Sequence, residues 1–164
     1  VGSEMCIRDR EQNDLPTSQT SLDYSPSDFE FTPRKNIFVN KDEVINAIGN
    51  PDFIILNSLT ADIHEGQNPR YGRRGKIPSS KNIPFHELLD NKTGKFKPIE
   101  ELANMFEKNK ITKDKKILNY CGGGIAASLE AFVLYQLGFE KIVIYDNSLH
   151  EWAAIDQTLP MENN

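Results

Sequence analysis

A single cysteine precedes three glycines at the end of an apolar run, in the stretch ILNYCGGGIAAS that covers residues 117–128. Because glycine has no side chain, successive backbone N–H groups can turn toward a common centre and surround the sulfur of Cys121. A helix predicted to start near Ala126 adds unpaired N–H groups and the positive end of its dipole. These groups favour the thiolate of Cys121, which is the nucleophilic form of cysteine.

Two other interpretations of this loop are weaker. A free cysteine often only fills space in a protein interior. Here Gly122, Gly123 and Gly124 cost conformational entropy and serve no packing purpose, which favours a reactive thiol over a structural one. A phosphate-binding loop would need a Lys-Ser or Lys-Thr pair to close it, and none follows these glycines. We therefore expect covalent chemistry at Cys121 and no nucleotide site.

Two strands and the helix between them must position the loop. The segment KKILNY predicts a strand before Cys121, AASLEAFVLYQLG predicts a helix closed by Gly138, and KIVIYD predicts a second strand. A strand, a helix and a strand within this length form a βαβ unit with a right-handed crossover. Ligands of such sheets bind beyond the carboxyl ends of the strands, where Cys121 is predicted to lie.

The rest of the chain repeats this alternation. NIFVN predicts a short strand, and the next helix has Asn40 as N-cap, Glu43 at the capping-box position and Gly49 just past its end. DFIILNS predicts a strand buried on both faces, and a short strand is expected near residues 82–85. A helix in KPIEELANMFEKNKI follows, and its predicted apolar face comprises Ile99, Leu102, Ala103 and Phe106. The pattern predicts an α/β fold with a doubly wound, mainly parallel sheet and helices on both faces.

Composition limits the classes of partner. The chain has 164 residues and a net charge of −5, which fits one soluble domain and argues against a nucleic-acid surface. No stretch approaches the roughly 18 to 20 apolar residues of a membrane span, so we expect no membrane partner. A cytoplasmic location is a separate expectation. Two cysteines, Cys6 and Cys121, do not make a disulfide scaffold. His64, His86 and His150 follow no metal-ligand spacing and are expected to be surface or loop residues, so no metal is predicted.

The N-terminal residues do not resemble a folded domain. Residues 1–10, VGSEMCIRDR, match one reading frame of a transposase adapter used in sequencing libraries, so we interpret them as an adapter artefact that includes Cys6. Residues 11–31 are rich in Ser, Thr, Asp and Pro without periodicity, which is typical of a flexible linker. We expect one folded domain over residues 32–164.

The segment YCGGGIAAS resembles the active-site loop of the rhodanese superfamily. RRGKIPSSKNIPF resembles the segment before the central helix of that family, and IVIYDNSLHEWAAIDQTLPMEN resembles its C-terminal signature. The matching residues of the signature are Asp146, Ser148, Glu151, Trp152, Leu159 and Pro160. The resemblance covers about residues 32–164 and is closest to the catalytic C-terminal half of two-domain sulfurtransferases. It implies a rhodanese-like fold, an interdomain linker at residues 11–31 and an inactive N-terminal rhodanese-like domain upstream.

The resemblance also implies an activity. Cys121 would take a sulfane sulfur from thiosulfate or 3-mercaptopyruvate, form a persulfide without a cofactor, and pass the sulfur to cyanide, a thiol or a protein sulfur acceptor. The backbone amides of Gly122, Gly123, Gly124, Ile125 and Ala126 would hold the persulfide. Arg70 and Arg74 fall where related enzymes bind the donor, and Arg73 lies beside them. The alternative is that these arginines lie on a solvated loop and provide only surface charge.

The chain departs from the family at several positions, which leaves alternatives open. Asn57 and Leu59 stand where many members have an acid and an arginine. Within the family, loops that use 3-mercaptopyruvate differ from loops that use thiosulfate. Gly122 resembles the 3-mercaptopyruvate type and Gly123 resembles neither, so the identity of the donor stays open. A non-catalytic interaction module is one alternative. A phosphatase or arsenate reductase is another, although such loops are one residue longer and close with arginine, where this chain has Ala127.

Overall fold

A computed structural model of the chain describes residues 10–21, 23–32 and 36–163. Contacts divide the chain into two units, Val1–Pro33 and Arg34–Asn164. Within the first unit, the described residues are exposed and form no strand, and residues 10–12 form a helical turn. The predicted adapter segment, residues 1–10, lies outside the described residues except for Arg10. In the described part of the chain, no helix is long and apolar enough to cross a membrane.

The second unit is built on a parallel sheet. Its strands are β1 (Phe53–Asn57), β2 (Lys81–Asn82), β3 (Lys116–Tyr120) and β4 (Ile142–Tyr145), in the spatial order β2-β1-β3-β4. All three neighbouring pairs are parallel. The predicted first strand is only an isolated parallel bridge from Phe38 to Ile144, at the outer edge of β4. Because β1 and β3 are the central strands, their carboxyl ends lie side by side.

Helices cover both faces of this sheet. They are α1 (Lys41–Ala47), α2 (Ala61–His64), α3 (Ile99–Lys108) and α4 (Ile125–Gln136), with a 3₁₀ turn at Phe85–Leu88 and a π-helical segment at His150–Ile155. Residues of β1 alternate between the faces, since Ile55 packs with Val44 of α1 while Ile54 packs with Phe106 of α3. The predicted α/β fold with a mainly parallel sheet is confirmed.

Local signals place most helix ends correctly. Asn40 caps α1 in a capping box with Glu43, as predicted, and Gly49 follows the helix in a left-handed conformation with φ of 70°. The predicted apolar face of α3 is wrong at two positions. Leu102 and Phe106 are buried, but Ile99 is 44% exposed and Ala103 is exposed. Ile99 and Ala103 line surface grooves beside the buried Leu102 and Phe106. The part of the α3 surface that contacts the core is narrower than the apolar periodicity of the sequence indicates.

Candidate active site

Cys121 directly follows β3 and lies in the interior, with 2% of its surface exposed. The segment after β4 holds it in place. The backbone N–H of Cys121 donates to Ser148 Oγ at 3.0 Å, and the Leu149 N–H donates to the Cys121 carbonyl at 3.1 Å. A further bond joins the His150 N–H to the Gly122 carbonyl at 2.9 Å. The backbone at the cysteine is therefore set by residues 148–150, which reach it because β3 and β4 are parallel neighbours.

Among the described residues, the Ser148 hydroxyl makes a side-chain contact with the sulfur of Cys121 at hydrogen-bonding distance for sulfur. Its oxygen lies 4.0 Å from Cys121 Sγ and 2.6 Å from the carbonyl of Tyr145. The hydroxyl has a single proton, and the shorter distance shows that Tyr145 accepts it. Ser148 has a φ of 51°, an uncommon backbone conformation for a residue with a side chain. The resemblance placed Ser148 in the C-terminal signature but did not indicate this contact.

Unpaired backbone amides follow the cysteine. Among the described residues, the N–H groups from Gly122 to Ala127 donate no hydrogen bond, and the first helical bond runs from the Ser128 N–H to the Gly124 carbonyl at 2.9 Å. This run contains the five amides of the predicted cradle and adds that of Ala127. Consecutive free N–H groups at a helix N-terminus form a binding site for anions.

The three glycines have different structural requirements. Gly124 has a φ of 84°, and a Cβ there would lie 3.1 Å from the Asp146 carbonyl oxygen. Gly122 has an ordinary φ, but a Cβ there would overlap the hydroxyl and ring of Tyr71. Gly123 is exposed, and a Cβ there would meet nothing within 4 Å. Sequence reasoning treated the glycines as one flexible run, whereas the backbone conformation favours glycine at 124, the Tyr71 side chain occupies the side-chain space at 122, and nothing restricts residue 123.

The three predicted arginines have different surroundings. Arg73 donates to the carbonyls of Trp152 at 2.6 Å and Leu159 at 2.8 Å, with longer bonds to two further carbonyls of that segment. Arg74 is exposed and donates to the carbonyls of Gly66 and Gln67 at 2.9 Å and 2.6 Å. Arg70 is exposed, and its guanidinium lies 5.9 Å from the centre of the Tyr71 ring. Arg73 thus fastens the C-terminal segment, and Arg70 has no carbonyl or carboxylate partner among the described residues.

Neutral side chains occupy positions 57 and 59, where the resemblance described above implies an acid and an arginine in many members. Leu59 is buried, and Asn57 is fully buried and donates from Nδ2 to His64 Nδ1 at 3.1 Å. The prediction that His64 is a surface or loop residue is wrong, because His64 ends α2 and the residue is only 8% exposed. Burial, together with the charge of Lys76, lowers the pKa of His64 to about 4, so the ring is neutral at pH 7.

A buried carboxyl group lies between α4 and the end of β1. Glu130 is fully buried, and its Oε2 accepts a hydrogen bond from Ser58 Oγ. Its Oε1 has no hydrogen-bond partner among the described residues. Burial raises the pKa of Glu130 to about 8, so the carboxyl group is mostly protonated at neutral pH. Sequence reasoning missed this residue, although a glutamate within the apolar run SLEAFVL is the signal that could have identified it.

Comparison with known proteins assigns residues 40–155 to a described domain type. The family model "Rhodanese-like domain" matches residues 40–155. The chain is 34% identical over 142 residues to the mitochondrial thiosulfate/3-mercaptopyruvate sulfurtransferase 1 of Arabidopsis thaliana, covering 85% of this chain and 37% of that protein. It is 35% identical over 99 residues to the 3-mercaptopyruvate sulfurtransferase of Escherichia coli, covering 60% of this chain and 34% of the relative.

Two further comparisons extend this result. The sulfur carrier protein TtuD of Thermus thermophilus is 42% identical over 95 residues, covering 56% of this chain and 33% of that protein. Among solved structures, the anaerobic ergothioneine biosynthesis enzyme from Chlorobium limicola superposes with a TM-score of 0.81 at 17% identity, covering 94% of this chain and 39% of the enzyme. At this identity the superposition supports the fold alone. The chain spans about a third of the length of these three curated relatives.

Proposed function

The chain belongs to the rhodanese-like domain family, and on this premise we propose that it is a sulfurtransferase that carries sulfur as a persulfide on Cys121. The proposed donors are thiosulfate and 3-mercaptopyruvate, the compounds in the names of its sulfurtransferase relatives. The proposed acceptor is cyanide or a thiol. A thiol on a partner protein is included, since one relative is named a sulfur carrier protein.

The proposed reaction consists of two displacements. In the first, the Cys121 thiolate attacks the transferable sulfur of the donor, and an S–S bond forms. The bond between that sulfur and the rest of the donor breaks, and its electron pair leaves with sulfite from thiosulfate, or with the enolate of pyruvate, which takes up the thiol proton, from 3-mercaptopyruvate. In the second, the acceptor attacks the outer sulfur, and the S–S electron pair returns to Cys121.

The observation that carries this proposal is the run of unpaired amides after Cys121. A persulfide anion needs hydrogen-bond donors, and the N–H groups from Gly122 to Ala127 are free to provide them. Since these donors are fixed by the backbone, no reorganisation is needed when charge develops on the outer sulfur. The 2% exposure of Cys121 also limits contact of its sulfur with bulk water.

The test is to load the purified chain with each donor and to weigh the intact protein. We expect a mass gain of one sulfur atom on Cys121 that cyanide removes as thiocyanate. The Cys121→Ser variant should stay folded by circular dichroism and gain no sulfur. A wild-type chain that is folded but gains no sulfur from either donor would contradict the proposal and would favour a non-catalytic interaction module.

A further inference from the structure

Tyr71 is an aromatic residue at the cysteine loop that no sequence argument assigned to the site. It belongs to the polar segment between α2 and β2 and is partly exposed. Its hydroxyl and ring lie where a side chain at residue 122 would be, directly against Gly122 of the loop. The phenol is thus next to the residue that follows the nucleophile.

Glycine at residue 122 is explained by this contact. Gly122 does not have a left-handed φ, so its backbone conformation does not by itself require glycine. The atoms that a side chain would meet are the far end of Tyr71, which can rotate away. A larger residue at 122 would therefore displace the phenol from the loop rather than unfold the loop.

The charge near Tyr71 comes from Arg70. The Arg70 guanidinium lies 5.9 Å from the centre of the Tyr71 ring, a distance at which a cation and an aromatic ring attract each other. The other two arginines of the segment are bonded to carbonyls, Arg73 to those of residues 152–159 and Arg74 to those of Gly66 and Gln67. Among the described residues of this segment, Arg70 is the arginine whose N–H groups donate to no carbonyl or carboxylate, so they are available to a ligand.

We propose that Tyr71 sets the choice of sulfur donor at this site, acting beside Arg70, for which the resemblance already implies donor binding. The pair offers one positive charge and one neutral hydroxyl beside the cysteine loop. It fits a donor with a single carboxylate and a carbonyl oxygen, which is the chemistry of an α-keto acid thiol such as 3-mercaptopyruvate. Thiosulfate carries two negative charges, and the pair of Tyr71 and Arg70 supplies one cation to balance them. This inference rests on the proposed function and names the residues that decide its donor.

The first test compares donors. Rates of sulfur loading on Cys121 are measured with 3-mercaptopyruvate and with thiosulfate for wild type, Tyr71→Phe, Tyr71→Ala and Arg70→Gln. We expect Tyr71→Phe to lower the 3-mercaptopyruvate rate about tenfold, as for one lost hydrogen bond to a charged or strongly polar group, and to change the thiosulfate rate little. The matched control is Tyr135→Phe, because Tyr135 is an exposed tyrosine of α4 outside the loop. An unchanged ratio of the two rates in both Tyr71 variants would overturn the inference.

The second test uses the contact itself. Gly122→Ala should displace the phenol and shift the donor ratio in the direction of Tyr71→Ala. In the Tyr71→Ala background the same change should have little further effect, because the overlapping group is gone. Equal effects of Gly122→Ala in both backgrounds would contradict the proposed role of Tyr71.

A third measurement does not depend on sulfur transfer. Iodoacetate carries one carboxylate and iodoacetamide carries none, and both alkylate a cysteine thiolate. We expect the ratio of their rates at Cys121 to fall several-fold in Arg70→Gln and not in Arg74→Gln. If wild type loads no sulfur but this ratio falls, the proposed function fails while anion recognition by Arg70 stands. If wild type loads sulfur and the ratio does not change, the donor inference fails alone.

Discussion

The hydroxyl oxygen of Ser148 accepts a hydrogen bond from the backbone N–H of Cys121 at 3.0 Å, across 27 residues of sequence. The same hydroxyl donates to the carbonyl of Tyr145 at 2.6 Å, so the donor and the acceptor functions of Ser148 are both used. This serine connects the end of β3 to the turn after β4. The position of Cys121 therefore depends on a side chain of the C-terminal segment.

We predict that Ser148→Ala lowers the rate of sulfur loading on Cys121 at least tenfold and destabilises the fold by about 1–3 kcal/mol. The reason is that the buried N–H of Cys121 loses its acceptor. Loading is measured by intact mass, and stability by urea unfolding. Ser79→Ala is the matched control, since Ser79 also has a left-handed backbone, with φ of 60°, and bonds backbone groups outside the cysteine loop. Equal loading rates in the two variants would show that Ser148 does not position Cys121.

The glycines of the loop should differ in their tolerance of alanine. Gly124→Ala should cost about 1–2 kcal/mol of stability, because the left-handed conformation at φ of 84° is unfavourable for alanine and its Cβ would crowd Asp146. Gly123→Ala should leave stability almost unchanged, since its Cβ meets no atom within 4 Å. Thermal unfolding of the two variants distinguishes these effects. A similar loss in both would mean that flexibility, and not local geometry, explains the glycines.

Arg73 should contribute to stability more than to sulfur chemistry. Removing its guanidinium in Arg73→Met leaves the carbonyls of Trp152 and Leu159 without their charged donor, so we expect a loss of about 2 kcal/mol or more. Arg74→Met should cost much less, because its two acceptors are on an exposed loop. Chemical denaturation of both variants gives the comparison. A larger loss for Arg74→Met would contradict the role assigned to Arg73.

Glu130 should make stability depend on pH. Its pKa is raised by burial to about 8 from an ordinary value of 4.5, so the folded chain keeps a proton that the unfolded chain releases. Because the folded state binds more protons between these two values, the free energy of unfolding falls as the pH rises from about 4.5 to about 8. The glutamine in Glu130→Gln cannot ionise, and it can still accept the hydrogen bond from Ser58.

We therefore expect the stability of Glu130→Gln relative to wild type to increase between about pH 5 and about pH 9, by a few kcal/mol at most. Urea unfolding at both pH values measures the change. The control is Glu107→Gln, which alters an exposed glutamate on α3 and should shift both values by the same small amount. A relative stability of Glu130→Gln that does not vary with pH would show that Glu130 is ionised in the folded protein.

The sequence by itself determined the local elements and the place of Cys121 among them. The capping box of Asn40 and Glu43 is formed by residues three apart, and the apolar runs of β1 and β3 are continuous, so neighbours along the chain suffice to predict them. The position of Cys121 between a strand and a helix follows from the same local patterns. For the fold class, alternation of strands and helices was enough, because a parallel strand pair requires a crossover connection.

The tertiary structure decided which distant residues surround Cys121. Tyr71 reaches the loop from 50 residues upstream of Cys121 in the chain and Ser148 reaches it from 27 residues downstream, and both contacts depend on the order β2-β1-β3-β4. The burial of His64 and Glu130 likewise depends on which helix covers which strand. A sequence pattern gives the spacing of polar groups along one element. Only the packing of elements decides whether such a group meets water, a partner or neither, and that choice sets its charge and its role.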